Sequence, residues 1–466
     1  MENKFSSTTI QSTSIDKISL LLVFCSVAAL MIFLVFTENF IFGSAKGNWE
    51  YRYFKDITPI PLWQLIIIVM LLSLSIFIGS KLINKYELLT LSGCFLLAIV
   101  TQILIRNTYP ISMESIVQSD RANGFYSVAM EYSPIELLTQ YHTLTSVFSM
   151  HVRANLPGKI LLFEFFELFT VSPKIMGYLI VGFSTLGAFL IYEICNKLFL
   201  DKQAAFYAFI LYTLIPGKLF FFPILNTVTP VFMLLCIYLF VIYFERKNLL
   251  FLWLLGSALF ILVLFDPSPL VVGIVFIGIM LHVAREKKLV LKDLWPIAVI
   301  PLLAFLCIYI LLSVLFSFDL IRAFQFILND AVNFNLENQR GYRVWFGQNI
   351  KEFFYSVGTP IILIFIYRIS QILLEWKTLF KRNMIYWSSE NIFILSLLMT
   401  FSVVVFLGIN RGETSRLWIY LAVLFQIPAS LFIAKIPQSL MPFFIVTITL
   451  VIQTIVALQR VGFVFP

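Results

Sequence analysis

Residues 285–317 read REKKLVLKD and then LWPIAVIPLLAFLCIYILLSVLFS, a basic turn feeding a long run without one charged side chain. A helix needs about 20 apolar residues to cross a hydrocarbon layer of about 30 Å, and 294–317 satisfies that requirement. Runs of the same kind lie on either side of it. Working outward, apolar stretches near 18–36, 62–79, 88–105, 175–195, 204–222, 228–244, 248–265, 269–284, 354–375, 392–408, 417–434 and 440–457 bring the expected total to about thirteen transmembrane helices. The whole chain agrees with its parts: 60% of the 466 residues are hydrophobic and 12% charged, with a mean hydropathy of +0.94. A soluble chain carries about 25% charged residues, so lipid is the solvent here. The expected fold class is an all-α polytopic membrane protein.

The basic turn also sets a direction. Short loops rich in Lys and Arg stay on the cytoplasmic side, which places 285–293 inside. Alternation from there puts Lys81, Lys85, Lys197, Lys202, Arg246, Lys247, Lys377, Lys381, Arg382 and Lys435 on the same side. The N-terminus is then cytoplasmic, the C-terminus outside, and each long polar connection extracytoplasmic, as in a multi-pass protein of a plasma or inner membrane. The net charge of +8 needs no nucleic-acid partner, because basic cytoplasmic loops account for it. Cys25, Cys94, Cys195, Cys236 and Cys307 all sit in or beside apolar runs, without disulfide or zinc spacing. The first run, Ile18 to Phe36, lacks a small-residue cleavage site and reads as a retained helix.

Five segments follow from this pattern: transmembrane helices in 1–105, an extracytoplasmic loop over 106–174, transmembrane helices in 175–317, a second extracytoplasmic loop over 318–353, and transmembrane helices in 354–466. Within the first loop, Lys159 to Val171 is apolar but short and carries Glu164 and Glu167 on one helical face, so an amphipathic interfacial helix is expected. Loops beyond about 12–15 residues are commonly functional, and these two contain aromatic and apolar residues throughout.

The first loop concentrates the titratable chemistry. It holds Asp120, Arg121, Tyr126, Glu131, His142, His151, Arg153 and Lys159, including two of the three histidines. An early Asp, then Tyr126 and Ala129, then His151 and the Pro157-Gly158 step into an amphipathic helix resemble the GT-C membrane glycosyltransferases. The likeness is nearest to the protein O-mannosyltransferase and aminoarabinose transferase branch. The basic turn 196–203, the Pro216-Gly217-Lys218 step and the polar stretch around Asn226 extend the likeness over residues 88–245.

That resemblance implies transfer of a mannose-like sugar from a polyprenyl-phosphate-linked donor to a hydroxyl on a glycan, lipid or protein acceptor, among membrane lipids at the extracytoplasmic face. An attacking hydroxyl needs a carboxylate base within about 3 Å, the role assigned to Asp120. The departing phosphate calls for cations, with Arg153, Lys159, Lys218, Arg411 and Arg416 as candidates. Tyr126, His142, His151, Asn226, Arg340, Arg343 and Glu413 are the candidate substrate contacts. No cofactor is assigned, and a divalent metal is left open because Asp120 is followed by Arg121 rather than by a companion acid.

Simpler roles stand beside these. Asp120 also suits a turn or helix cap, the histidines suit snorkelling interface positions, and Glu413 with Arg416 suits an i, i+3 ion pair. Asp266, bounded by Pro267 and Pro269, reads as a capped turn. Two other functional classes fit the hydropathy: a transporter or flippase of lipid-linked sugars, and a membrane protein of the O-antigen polymerase or ligase type.

Overall fold

The computed structural model describes residues 14–286, 291–375 and 387–465. Its elements are helical, apart from a lone antiparallel bridge between Tyr53 and Val461 among the described residues. α1 (Ser14–Phe36), α2 (Leu62–Leu82) and α3 (Glu87–Arg106) lead into α4 (Met113–Gln118), α5 (Phe125–Glu131), α6 (Pro134–Leu144), α7 (Met150–Arg153) and α8 (Gly158–Glu167). Six helices follow: α9 (Pro173–Phe199), α10 (Lys202–Phe221), α11 (Leu225–Arg246), α12 (Leu250–Phe265), α13 (Ser268–Arg285) and α14 (Leu291–Phe316). The remainder is α15 (Leu320–Glu337), α16 (Tyr342–Val357), α17 (Thr359–Leu374), α18 (Ser389–Leu407), α19 (Ile419–Ala434) and α20 (Leu440–Arg460).

Ten of these helices are long and apolar enough to cross a membrane, or eleven if α16 and α17 count as one bent span. α12 and α19 are apolar but shorter. The apolar windows of α10 and α11 are 100% and 83% buried, whereas those of α1 and α14 are 22% and 17% buried, so α10 is central and α14 peripheral. Aromatic stacking fills the centre: Tyr207 lies 3.8 Å from Phe443 and Phe220 lies 4.2 Å from Phe463, centroid to centroid. In lipid such packing stabilises through van der Waals contact, since the tails outside are equally apolar.

The connections sort to two ends of the bundle. At one, the turn end, short turns bring Lys202 to Glu87 (2.6 Å), Lys197 to Glu245 (2.7 Å), and both Arg368 (3.0 Å) and Lys435 to Glu390. At the other, the loop end, the segments 37–61, 107–172, 317–358 and 408–418 fold against each other. Asn48 donates to Asn338 (2.8 Å), Arg340 to the Gly47 carbonyl (2.8 Å), and Tyr109 to the Val464 carbonyl (2.9 Å). A second apolar core joins Phe125, Tyr141 and Phe163 of the first long connection to Phe260, Phe265 and Phe318. The connection is therefore a folded cap. The turn residues Lys287, Lys288, Lys377, Lys381 and Arg382 lie outside the described residues.

Two expectations change, and a third segment is a short helix as the sequence suggested. Residues 318–353, read as a loop, form α15 and most of α16. Asp319 caps α15 by accepting from the amides of Ile321 (2.9 Å) and Arg322 (3.1 Å), while polar Gln325, Asn329 and Asn333 dilute the hydropathy that would have announced a helix. The span expected at 354–375 begins at 359, because Gly358 adopts φ +106° and the chain turns by 109° there; a Cβ at this position would lie 2.3 Å from Leu450 Cδ2. The short apolar stretch 159–171 is the 10-residue helix α8, too short to cross, with Glu164 and Glu167 both half-buried.

Candidate functional site

The site starts where α8 meets α12. Gly158 sits so close that a Cβ would lie 2.5 Å from the Leu264 carbonyl oxygen, and this contact sets Lys159 beside the last turn of α12. Lys159 is buried; its Nζ donates to Asn155 Oδ1 (2.7 Å) and lies over the rings of Phe125 (5.6 Å) and Phe265 (5.9 Å). The next residue after α12 is Asp266, also buried, which accepts from Thr229 Oγ1 (3.2 Å) and the Ser268 amide (3.1 Å). Burial pulls the Lys159 ammonium down to about 8; Asp266 opposes that shift and Arg416 adds to it.

Arg416 belongs to the linker between α18 and α19. Its Nη2 binds Glu413 Oε2 at 2.6 Å, and Glu413 Oε1 takes Arg340 Nη2 at 3.1 Å. Glu413 itself holds φ +58°, a left-handed turn that presents its carboxylate to both guanidinium groups. Burial pushes its pKa up, but Arg416 and Arg340 outweigh burial and hold it below the ordinary glutamate value. Arg340 is fixed on every side: it donates to the carbonyls of Gly47 (2.8 Å) and Arg411 (3.1 Å), and its guanidinium covers Trp49 (4.9 Å) and Phe334 (4.7 Å). Arg416 is less constrained, because its buried Nε has no partner.

His151 closes the cluster. It is bonded to the backbone of Arg121, and burial, then Arg416 and Lys159, lower its pKa against the pull of Glu413, so the ring is neutral near pH 7. Behind Glu413 lies Glu352, fully buried, whose Oε1 accepts from Trp49 Nε1 (2.8 Å) while Oε2 has no partner. Ion pairs join Arg340, Glu413 and Arg416, and electrostatic influence alone links this group to His151, Lys159 and, through Lys159, Asp266 at the loop end. Such an array, mostly screened from water, has the chemistry to hold an anion at Arg416 and Lys159, with a hydrogen-bonded carboxylate in the same electrostatic neighbourhood.

The other sequence candidates lie elsewhere. Asp120, the expected base, is exposed and accepts from Ser127; it is not among the charged neighbours of His151. Its loop meets the cluster through the Arg121 backbone at His151 and the Phe125 ring under Lys159. Arg153 pairs with Asp330 of α15 at 2.9 Å, which commits it to holding that helix. Lys218 is buried inside α10 over Tyr212 (4.0 Å) and Phe222 (5.6 Å), 3.5 Å from the Ser184 carbonyl. Arg411 and Arg343 are exposed, and Arg411 contributes its carbonyl to Arg340. His142 stacks on Phe318 (6.0 Å) and accepts from the Asp319 amide (3.2 Å), a joint between α6 and α15. Tyr126 donates to the Val171 carbonyl (3.0 Å), and Asn226 is buried at the start of α11.

Sequence reasoning passed over Asp266, Trp49 and Glu352. The capping role read for Asp266 is real, yet the same carboxylate faces Lys159; its closeness to an apolar run was the signal available. Trp49 carried no local signal, since its partners are about 300 residues away in sequence. Among the described residues, no group of three His, Cys, Asp or Glu side chains is arranged to hold a metal ion. Comparison with protein-family models, curated proteins and solved structures finds no match.

Proposed function

We propose that this chain is a membrane glycosyltransferase that takes a sugar from a polyprenyl-phosphate donor at the loop end of the bundle, in the manner of the GT-C enzymes. The observation that carries the reading is the buried ammonium of Lys159, which feels both the buried carboxylate of Asp266 and the guanidinium of Arg416, the latter with an unpartnered Nε. In this scheme Asp266 takes the proton of the acceptor hydroxyl, in place of the exposed Asp120. The hydroxyl oxygen attacks the anomeric carbon from the side opposite the phosphate. The carbon–oxygen bond to phosphate breaks with its electron pair on the phosphate oxygen, and the configuration inverts. Lys159 and Arg416 neutralise the charge on the released polyprenyl phosphate.

Sidedness supports an extracytoplasmic site. The turn end carries Lys81, Lys85, Lys197, Lys202, Arg246, Lys247, Arg285 and Lys435 in short connections, the pattern of a cytoplasmic face. If α12, α17 and α19 also cross, the chain has thirteen crossings and each long connection lies on the opposite side. A transporter of lipid-linked sugars places its ionisable groups near the middle of the membrane. Here, apart from Lys218 in α10, the charged side chains named above lie toward the two ends of the bundle, and the buried charged atoms without partners lie at the loop end.

The test is reconstitution with a polyprenyl-phosphate mannose donor and a survey of acceptors. The proposal expects free polyprenyl phosphate to accumulate in step with glycosylated product, and both to fall in D266N and K159M. Movement of intact donor across the bilayer, with the sugar bond preserved, would contradict it.

A further inference from the structure

α15 is attached to the rest of the protein along one face only. Leu320 and Ala323 are buried, Asp330 pairs with Arg153 (2.9 Å), Phe334 lies under Arg340, and Asn338, just beyond the helix, meets Asn48. A helix advances by about 100° per residue, so two further faces can be read from exposure. Ile321, Leu328, Val332 and Leu336 fall on one of them, with fractional exposures of 58%, 50%, 57% and 69%. Gln325 is the one polar side chain within that row. Arg322, Asn329, Asn333 and Glu337 occupy the other, all exposed, with Phe326 (38% exposed) as the one apolar side chain among them. One helix thus presents a protein face, an apolar face and a polar face.

We propose that α15 lies along the surface of the bilayer, with Ile321, Leu328, Val332 and Leu336 inserted among the acyl chains of the leaflet at the loop end. Continuity with the neighbouring surface identifies lipid as the occupant. α14 runs directly into α15, is the least buried of the spans, and exposes Ile310, Leu311, Val314 and Leu315 over its last turns. Ile321 extends that lipid-facing surface around the corner at Ser317. A soluble partner covering the α15 row would meet the bilayer at its edge, whereas the leaflet covers both surfaces at once. The polar row then faces the aqueous side, the arrangement of an interfacial amphipathic helix. At ~1.5 Å per residue the helix is about 27 Å long, so the leaflet reaches from the end of α14 to the Arg340–Trp49 contact beside the charged network. This inference does not depend on the sugar-transfer reading.

The test uses single cysteines in a C25A/C307A background, in protein reconstituted into phosphatidylcholine–phosphatidylglycerol vesicles. L328C, V332C and L336C are compared with N329C, N333C and E337C. A membrane-impermeant maleimide is expected to label the first three at least about tenfold more slowly, and an environment-sensitive fluorophore on V332C is expected to be quenched by lipids spin-labelled in the upper acyl chain. Equal labelling of all six would show that the row faces water and would overturn the proposal. Slow labelling without quenching by lipid would also overturn it, by assigning the row to a second copy of the chain. All six positions are exposed, so the folded state is retained in each variant.

Discussion

The two ends of the bundle carry the same kinds of charged side chain and use them differently. At the turn end, Lys202 with Glu87 and Lys197 with Glu245 form pairs at the surface, and even the more buried Glu390 is answered by two cations. At the loop end, beside pairs such as Arg153 with Asp330, some buried charges are left incompletely answered: Glu413 is held by two arginines, Lys159 feels both Asp266 and Arg416, and Arg416 and Glu352 keep buried atoms without partners. Exposed pairs contribute roughly 0–1 kcal/mol each and are expendable. Buried, incompletely answered charges are costly to the fold, and they are retained where a ligand completes them. The proposed function takes this contrast as anchoring at one end and chemistry at the other.

Substitutions test the contrast in descending order of effect. D266N is expected to lower sugar transfer by about 100- to 10,000-fold, the usual range for losing a general base, while D120N stays within about threefold as befits a surface side chain. Rates measured at matched protein level decide this, and a larger loss in D120N would return the base to the first loop. R340A strands Glu413 with a single cation and two carbonyls without donors, which should cost about 3–5 kcal/mol of stability, read from unfolding in detergent micelles. R340K should recover part of this, since an ammonium lacks the planar fork.

Protonation gives a smaller effect with a defined sign. Anion binding needs the charged form of Lys159, whose pKa burial lowers to about 8. Affinity for a short polyprenyl phosphate should be unchanged between pH 6.5 and 7 and decline above pH 8, by about tenfold per unit in the share Lys159 supplies. K159R should remove the decline, because a guanidinium stays charged. Smallest of all, K202A at the turn end should shift stability by less than about 1 kcal/mol, and a larger shift would erase the distinction between the ends.

The helices were legible because charge-free runs such as 294–317 have one solution in lipid, and the ion pair of Glu413 with Arg416 was legible because its partners are three residues apart. α15 was not, since its three faces average to the hydropathy of a loop. Asp266 was hidden behind its own capping role, and Asp120 stood out only through a resemblance in its surrounding sequence, while the fold turns its carboxylate outward. The contacts that build the site, Arg340 on Trp49 and Lys159 near Asp266, link distant segments and have no periodicity to betray them. Helix packing alone brings them together.

The central claim is that Lys159 and Arg416 receive a lipid-borne phosphate. Titrating the purified protein in micelles with farnesyl phosphate and with farnesol tests it most directly. Saturable binding of the phosphate but not of the alcohol, weakened at least about tenfold in K159M with the fold intact, is the predicted result. Equal affinity for phosphate and alcohol, or the same phosphate affinity in wild type and K159M, would contradict it.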